Sequence, residues 1–413
     1  MTRQDRGPTR LGLGLAAAVL LTPPMAQAQQ WTWATGASAR AESNSNPGLV
    51  AEPGPALNSS SVSARWAAGR VTENTDSSAV LELTTAPSDS RAARKLQGQL
   101  VVAHRLTAFR HTWSASLKTQ QDRTQDRLTS AAEVGVGPGN RSFGEVNLAW
   151  NYQLTERLSS ETDASHSRTQ YSAAAVGSNY DLSAVNAGLR WRWRETTVLG
   201  TNWSRTEQQS SGRAGPTTID GWRVSASETL SEISSATLSV GQSSTARPFT
   251  QRSLVCPLQV QFCQAGLVAF VVAESTTTVR NRDLQYSASA DLQLNETTQV
   301  AARLSRALAT NAIGVTRDDR LGLSINRSFS PTSRGSLSFD ESRSRADGSL
   351  ASVKVVTLRA LGLTAARSLD ERWTVNAQLL RRDYSSQTPQ LKAQATVFSI
   401  SLQYQGGTVS IWR

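Results

Sequence analysis

The chain has 413 residues, of which 38% are hydrophobic and 18% charged, too little apolar material for large soluble domains with dry cores. A mean hydropathy of −0.36 excludes a polytopic helical membrane protein, and two cysteines with three histidines exclude a disulfide-dense scaffold or a cysteine-based metal cluster. The formal net charge of +11 would suit nucleic acid, but no nucleic-acid motif and no cofactor motif occurs. The 11 tryptophans therefore need another location.

The first 28 residues predict a secretory signal peptide. Arg3, Arg6 and Arg10 precede a short apolar run, 11–21, and Ala26-Gln27-Ala28 has the small-residue pattern of a cleavage site. The apolar run is shorter than the ~20 residues that a spanning helix needs. We expect an exported protein whose mature chain begins at Gln29.

Alternation of apolar and polar residues is the dominant pattern downstream. In 146–154 and 185–193 every second residue is apolar, and 284–294, 321–325 and 398–404 repeat the pattern. These runs have the ~9–12 residues of a tilted transmembrane strand, whereas soluble strands average ~5–6. Tryptophans near strand ends, such as Trp150, Trp191 and Trp373, fit the aromatic girdles at a membrane surface.

A weak repeat separates the strands. Tyr152-Gln-Leu-Thr-Glu-Arg-Leu158 is the clearest copy, and similar short polar turns follow the strands elsewhere. The related segments are 104–110, 191–197, 228–234, 292–298, 327–333 and 367–373, with one more turn near 73–77. Longer Gly-, Pro- and Asn-rich loops lie between these turns, as at 44–60 and 120–139. Short turns on one side and long loops on the other predict an all-β, antiparallel transmembrane β-barrel of about 18 strands, within a range of about 14–18.

The predicted barrel occupies 29–405, and two interpretations remain for 406–413. Phe398, Ile400, Leu402 and Tyr404 fit a final strand, after which Gly406–Arg413 is either a tail or the end of that strand, bent at Gly406-Gly407.

Both cysteines, Cys256 and Cys263, lie in the longest predicted loop, roughly 246–278. In an exported protein this spacing suits a disulfide-closed loop. The loop also holds an apolar run, 267–272. It either folds into the mouth or onto the rim of the barrel, or simply extends outside as a longer hairpin.

Arginines recur at positions predicted to face the lumen: Arg190, Arg192, Arg223, Arg303 and Arg320. One hypothesis is a basic lumen that favours anionic solutes or an acidic polysaccharide. The alternative is that these arginines pair with acids such as Glu145, Glu161, Asp163, Asp283 and Asp291 along a solvated wall.

An enzyme is the least favoured function. The three histidines are His104, His111 and His166, and no G-x-S-x-G, H-E-x-x-H or P-loop motif occurs. Strand parity puts Asp163 and Ser165 on the face opposite His166.

The leader, the strand rhythm and the 152–158 turn resemble Gram-negative outer-membrane β-barrels over 29–405. The Ser-, Thr- and Arg-rich strands, the L-T-E-R-like turns and the late cysteine loop are similar to the barrels encoded with PEP-CTERM and exopolysaccharide export systems. The resemblance implies an outer-membrane location and contact with lipid, lipopolysaccharide and the barrel assembly machinery. It also implies a role in polymer export, with no catalytic residue to carry over. Our leading prediction is a porin-like conduit, and the alternative is a non-conducting structural barrel.

Overall fold

A computed structural model describes residues 30–47, 49–53, 56–86, 95–123, 139–172, 179–211, 215–255, 271–311, 314–346, 355–387 and 390–412. These residues form strands and connections, with no helix among them. Nowhere in these ranges does a helix of membrane-spanning length and hydropathy occur. The strands are β1 Gln30–Asn44, β2 Leu57–Val71, β3 Thr75–Ala86, β4 Lys95–Ala108, β5 His111–Arg123, β6 Asn140–Gln153, β7 Leu158–Tyr171, β8 Tyr180–Arg192, β9 Thr197–Ser210, β10 Thr217–Ser231, β11 Ser234–Val255, β12 Val271–Asn295, β13 Thr298–Asn311, β14 Gly314–Ser330, β15 Ser333–Ala346, β16 Val355–Ser368, β17 Trp373–Ser386, β18 Leu391–Gln405 and β19 Val409–Trp412.

The strands form one closed antiparallel sheet. Each strand pairs with its neighbours in sequence, and β1 pairs with β2 on one edge and with β18 and β19 on the other. The last two segments act as one strand, because Gly406 N–H donates to Thr35 O at 2.7 Å and Trp412 then pairs with Gln30. The protein is therefore a closed barrel of 18 strands, which confirms the predicted fold class and strand count.

Eight short connections lie at one end of the barrel, at the positions of the eight predicted turns. They are 72–74, 109–110, 154–157, 193–196, 232–233, 296–297, 331–332 and 369–372. A polar side chain at the start of several of these turns accepts a hydrogen bond from the backbone N–H two residues later. Thr155 Oγ1 accepts from Arg157 N at 3.3 Å, and Asp370 Oδ1 accepts from Arg372 N at 2.7 Å. Asn295 makes the same bond. The sequence repeat is thus a repeated side-chain-capped turn.

The other end carries the longer connections, and the predicted loop 246–278 contains the paired loop-side ends of β11 and β12. The register of β11 and β12 continues to Val255 and Val271, beyond the point where β10 stops pairing at Ala246. Pairing of β12 with β13 begins only at Tyr286. This part of the chain is therefore a two-stranded hairpin beyond the residues that pair with β10 and β13.

The two faces of the wall differ in chemistry. Side chains alternate along each strand, and cross-strand partners share a face. Ala39 pairs with both Val62 and Leu402 on one face, whereas Ser38 hydrogen-bonds Ser63 on the other at 2.7 Å between hydroxyl oxygens. The apolar face is solvent-accessible all round the barrel, as a lipid-facing surface must be, and the polar face points inward.

Tryptophans follow this outer surface. Trp150 stacks on Trp113 with ring centroids 5.4 Å apart, close to the short turn at 154–157. Trp203 and Trp222 instead pair with each other near the middle of β9 and β10. The expectation that the tryptophans lie near turns therefore holds for Trp150 and Trp191 but not for Trp203 and Trp222.

Candidate functional site: the inner wall

The inner wall is the only continuous polar surface that the described strands enclose. Eighteen strands spaced about 4.8 Å apart and tilted about 40° enclose a backbone ring roughly 36 Å across. Inward side chains of ordinary length do not fill a ring of this size, and barrels of this strand number leave an aqueous channel. The candidate site is therefore the lining of the barrel.

All five predicted lumen arginines occupy inward positions in the register. Arg190 lies beside Gly188, and its Nη1 is 3.0 Å from Glu161 Oε1 on β7. Arg320 Nη2 is 3.3 Å from Asp318 Oδ2 on its own strand. Each of these two arginines therefore forms an ion pair with an acid.

The remaining three arginines have different neighbours. Arg223 Nη2 donates to Gln285 Oε1 at 3.2 Å, and Arg192 lies at the turn end of β8. Arg303 pairs with Gly322, which in turn pairs with Asp340. A Cβ on Gly322 would lie 3.2 Å from Asp340 Oδ1, so the glycine leaves space for the Asp340 carboxylate on the side of Arg303.

The inner wall carries further charges beside the five predicted arginines. Arg40 Nη2 is 2.6 Å from Glu42 Oε2, and Arg141 Nη2 is 3.1 Å from Asp122 Oδ2. Further opposite charges face each other directly across strands: Arg65 with Glu82, Asp76 with Arg105, and Lys118 with Glu145. Their positions, two or four residues from other inward residues of the same strand, were the signal in the sequence that could have identified them. The wall consequently interleaves both signs of charge, which favours the paired alternative over a uniformly basic lumen.

One connection folds onto this wall. Leu49, from the segment between β1 and β2, is 3% exposed and packs in a cluster with five inward residues at the loop end of the barrel. These residues are Val356, Leu358, Tyr384, Ala393 and Ala395. Segment 45–53 therefore covers part of the inner wall, a role that the sequence suggested for the cysteine loop instead.

Asn46 fixes this segment in place. Its Nδ2 donates to Val50 O at 2.8 Å and to Gln394 O at 3.1 Å, and its Oδ1 accepts from Val50 N at 3.2 Å. Asn46 is 2% exposed, and its amide is satisfied within the segment and by β18. Val50, by contrast, is half exposed.

The histidines lie on the outer face. His166 Nδ1 is 3.0 Å from Ser183 Oγ, but the neighbouring Asp181 carboxylate receives two hydrogen bonds from Arg168, at 2.7 and 2.8 Å. Asp163 faces inward and accepts from Asn186 Nδ2 at 2.7 Å. Neither of these two acids therefore orients the imidazole of His166 in the way that a hydrolytic triad requires. The described residues also hold no group of three His, Cys, Asp or Glu side chains suited to a metal ion.

Cys256 and Cys263 lie outside the described residues, as do residues 1–29, which hold the predicted leader. The predicted disulfide and cleavage site remain predictions.

The sequence matches no protein-family model and no curated protein. Among solved structures, Acinetobacter baumannii OccAB3 is 7% identical with a TM-score of 0.48, over 94% of this chain and 100% of that chain. The outer membrane protein opdK from Pseudomonas aeruginosa is 9% identical with a TM-score of 0.47, over 92% and 99%. The FrpB iron transporter from Neisseria meningitidis is 11% identical with a TM-score of 0.46, and the matched part of this chain, 86% of it, spans 62% of the transporter's length.

Proposed function

We propose that this protein is a porin-like passive conduit of a Gram-negative outer membrane, with water-soluble solutes crossing along the inner wall. The observation that carries the proposal is the closed ring of 18 strands with an accessible apolar outer face and a charged, hydroxyl-rich inner face. A barrel of this size that only anchored a chain in lipid would not need inward charges of both signs. Water and ions can solvate such a wall.

The solute class follows from the lining. Paired charges, such as Arg190 with Glu161 and Arg141 with Asp122, suit neutral or weakly charged polar solutes. Arg192 and Arg223 add a basic element, so the conduit favours anions weakly over cations. A hydrophilic surface polysaccharide, as the resemblance to export-associated barrels implies, falls within this class.

The test is single-channel recording of mature, detergent-refolded protein in a planar bilayer. We expect discrete conductance steps with a modest preference for anions. The double substitution Arg192→Gln/Arg223→Gln removes that preference, whereas Arg157→Gln/Arg372→Gln, in exposed turns, leaves it unchanged. A preference for cations in the unsubstituted protein would contradict the anion assignment.

A non-conducting structural barrel is the second candidate, favoured by the packing of Leu49 and its segment on the inner wall. In that case folded protein, identified by heat-modifiable gel mobility, produces no conductance steps. The absence of conductance steps in a folded preparation would therefore refute the conduit.

The proposal includes export through the 1–28 leader, insertion by the barrel assembly machinery and a disulfide between Cys256 and Cys263. Intact mass before and after reduction and alkylation tests the two covalent features, cleavage of the leader and the disulfide. A mature mass beginning at Gln29, with two thiols that react only after reduction, is expected. Thiols that alkylate without a reductant would contradict the disulfide.

A further inference from the structure

A group of arginines lies on the outward face of one side of the barrel. We define the outer arginine patch by its eight members on β12–β17: Arg280, Arg282, Arg306, Arg317, Arg343, Arg345, Arg359 and Arg381. Each shares strand parity with apolar residues that face lipid. A cation on this face costs free energy in the bilayer centre, so the position of the arginines along the barrel axis matters.

The register of the strands gives the position of these arginines along the barrel axis. On β13 and β14 the outward pair Leu304–Leu321 is followed, one step toward the loops, by Arg306–Asp319 and then by Leu308–Arg317. On β15 and β16 the pair Phe339–Leu361 is followed by Glu341–Arg359. Each step is two residues, or about 6.6 Å along the strand. The patch therefore begins where the apolar belt ends, at the loop end of the barrel.

Acids neutralise only part of the patch. Arg306 Nε is 2.5 Å from Asp319 Oδ1, Arg359 Nε is 3.0 Å from Glu341 Oε2, and Arg381 Nε is 3.7 Å from Asp383 Oδ1. Asp319 also lies directly opposite Arg343, so the three acids leave most of the eight arginines without an acid of their own.

Arg345 lies directly opposite Arg317, and both Arg343 and Arg345 are exposed. Like charges in directly opposite positions destabilise a sheet. Arg317 Nη1 lies 3.0 Å from Oδ1 of Asp283, an inward position of β12, so this acid neutralises Arg317. Arg345 remains as the exposed cation of the opposed pair, available to an anion on the outer face.

On the other side of the barrel, several outward positions near the loop end of β2, β5 and β6 are uncharged: Asn58, Ser60, Thr119, Gln121 and Ser142. On β7–β10 the outward arginines Arg168 and Arg205 face Asp181 and Asp220, at 2.7 and 3.9 Å. The positive excess is therefore largest on β12–β17.

We propose that the outer arginine patch binds the phosphate groups of an anionic glycolipid in the outer leaflet, with its acyl chains lying along the apolar belt below. The inference rests on the outer-membrane location proposed above. Guanidinium groups bind phosphate through two parallel hydrogen bonds, and headgroup phosphates lie at the level where an apolar belt ends. A soluble anion would not explain why the patch borders this belt.

The test measures binding of bis-phosphorylated lipid A, in mixed-detergent micelles, to the refolded barrel. Arg343→Gln/Arg345→Gln should weaken this binding about tenfold, because the substitution removes two exposed guanidinium groups from the loop end of the patch. The matched control Arg157→Gln/Arg372→Gln removes the same charge from turns at the opposite end of the barrel and should leave binding unchanged.

Two comparisons identify the ligand chemistry. Fully dephosphorylated lipid A should bind the unsubstituted barrel about as weakly as lipid A binds the double variant. Equal binding of both lipids, equal loss in the control variant, or displacement of lipid A by millimolar inorganic phosphate would overturn the proposal. Conductance of the same preparations reports separately on the conduit, since the patch faces away from the lumen.

Discussion

Leu49 adopts a positive φ of 47° while nearly all of its side chain is buried. A branched residue in the left-handed region is disfavoured, by about 1–2 kcal/mol. The contacts with Tyr384 and Val356 and the hydrogen bonds of Asn46 hold it there. This residue therefore anchors segment 45–53 to the inner wall.

We predict that Leu49→Ser releases the segment and changes the single-channel conductance, raising it if the segment narrows the lumen. Loss of the apolar contact removes the main attraction between the segment and the wall. Val50→Ser, one residue away and half exposed, is the matched control and should leave conductance unchanged. Equal conductance of Leu49→Ser and the unsubstituted protein would show that the segment does not limit flow.

Phe109 also has a positive φ, 49°, but it is 95% exposed at the two-residue turn between β4 and β5. Its contact with Arg110, 5.4 Å from guanidinium carbon to ring centroid, is a weak compensation in water. We predict that Phe109→Gly raises the free energy of unfolding by about 1 kcal/mol, measured by urea titration in detergent.

The matched control for that change is Phe329→Gly, which removes another exposed phenylalanine at the same end of the barrel. Phe329 is not among the residues with positive φ, so its substitution should not stabilise. A stabilising effect of similar size at both positions would attribute the gain to reduced surface hydrophobicity rather than to backbone strain.

Among the elements, the hairpin of β11 and β12 departs most from the barrel pattern. Nine cross-strand pairs, from Arg247–Val279 to Val255–Val271, lie beyond the last pair of β10 with β11. At about 3.3 Å per residue this hairpin extends roughly 30 Å. Since neither β10 nor β13 pairs with it there, the wall does not depend on it.

We predict that replacing 249–277 by Asn-Gly leaves conductance and folding unchanged. Pro248 and Thr278 are direct partners, and Asn-Gly favours the tight turn that joins such a pair. The measurements are single-channel conductance and heat-modifiable mobility. A larger conductance in the shortened protein would instead indicate that the hairpin or residues 256–270 cover the mouth.

The short turns are the elements that local sequence determines best. A Thr, Ser, Asn or Asp side chain caps the backbone within two residues, as at Thr155 and Asp370. The residue before the cap is exposed and apolar, as Leu154 and Leu369 are. Both features depend on neighbours in sequence, so the repeat was visible without the structure.

At the scale of the whole molecule, closure depends on β1. Gln30–Trp33 pair with β19 and Gly36–Asn44 pair with β18, so the first and last strands of the barrel are neighbours. The break between β18 and β19 lies at Gly406, where a Cβ would be 2.6 Å from Thr35 Oγ1 and 3.0 Å from Thr35 O. Only glycine fits this close approach without displacement of its neighbours.

We predict that deleting 407–413 lowers the temperature at which the folded barrel loses its heat-modifiable mobility. The deletion leaves Gln30–Trp33 without the partners that β19 provides and opens an edge in the sheet. Removing Arg413 alone keeps all four pairs and is the control. An unchanged transition after the larger deletion would show that β19 does not contribute to closure.

The sequence by itself determined the strand count, the turns and the common strand parity of the five predicted arginines, because alternation and turn capping are properties of adjacent residues. Only the tertiary structure decided how the inward charges pair, as between Arg190 and Glu161. It likewise decided that segment 45–53 lies on the inner wall, where Asn46 reaches Gln394, 348 residues away in sequence. The outer arginine patch also required the full register across β12–β17. Such contacts depend on which strands become neighbours at closure, and a local pattern carries no information about partners so distant along the chain.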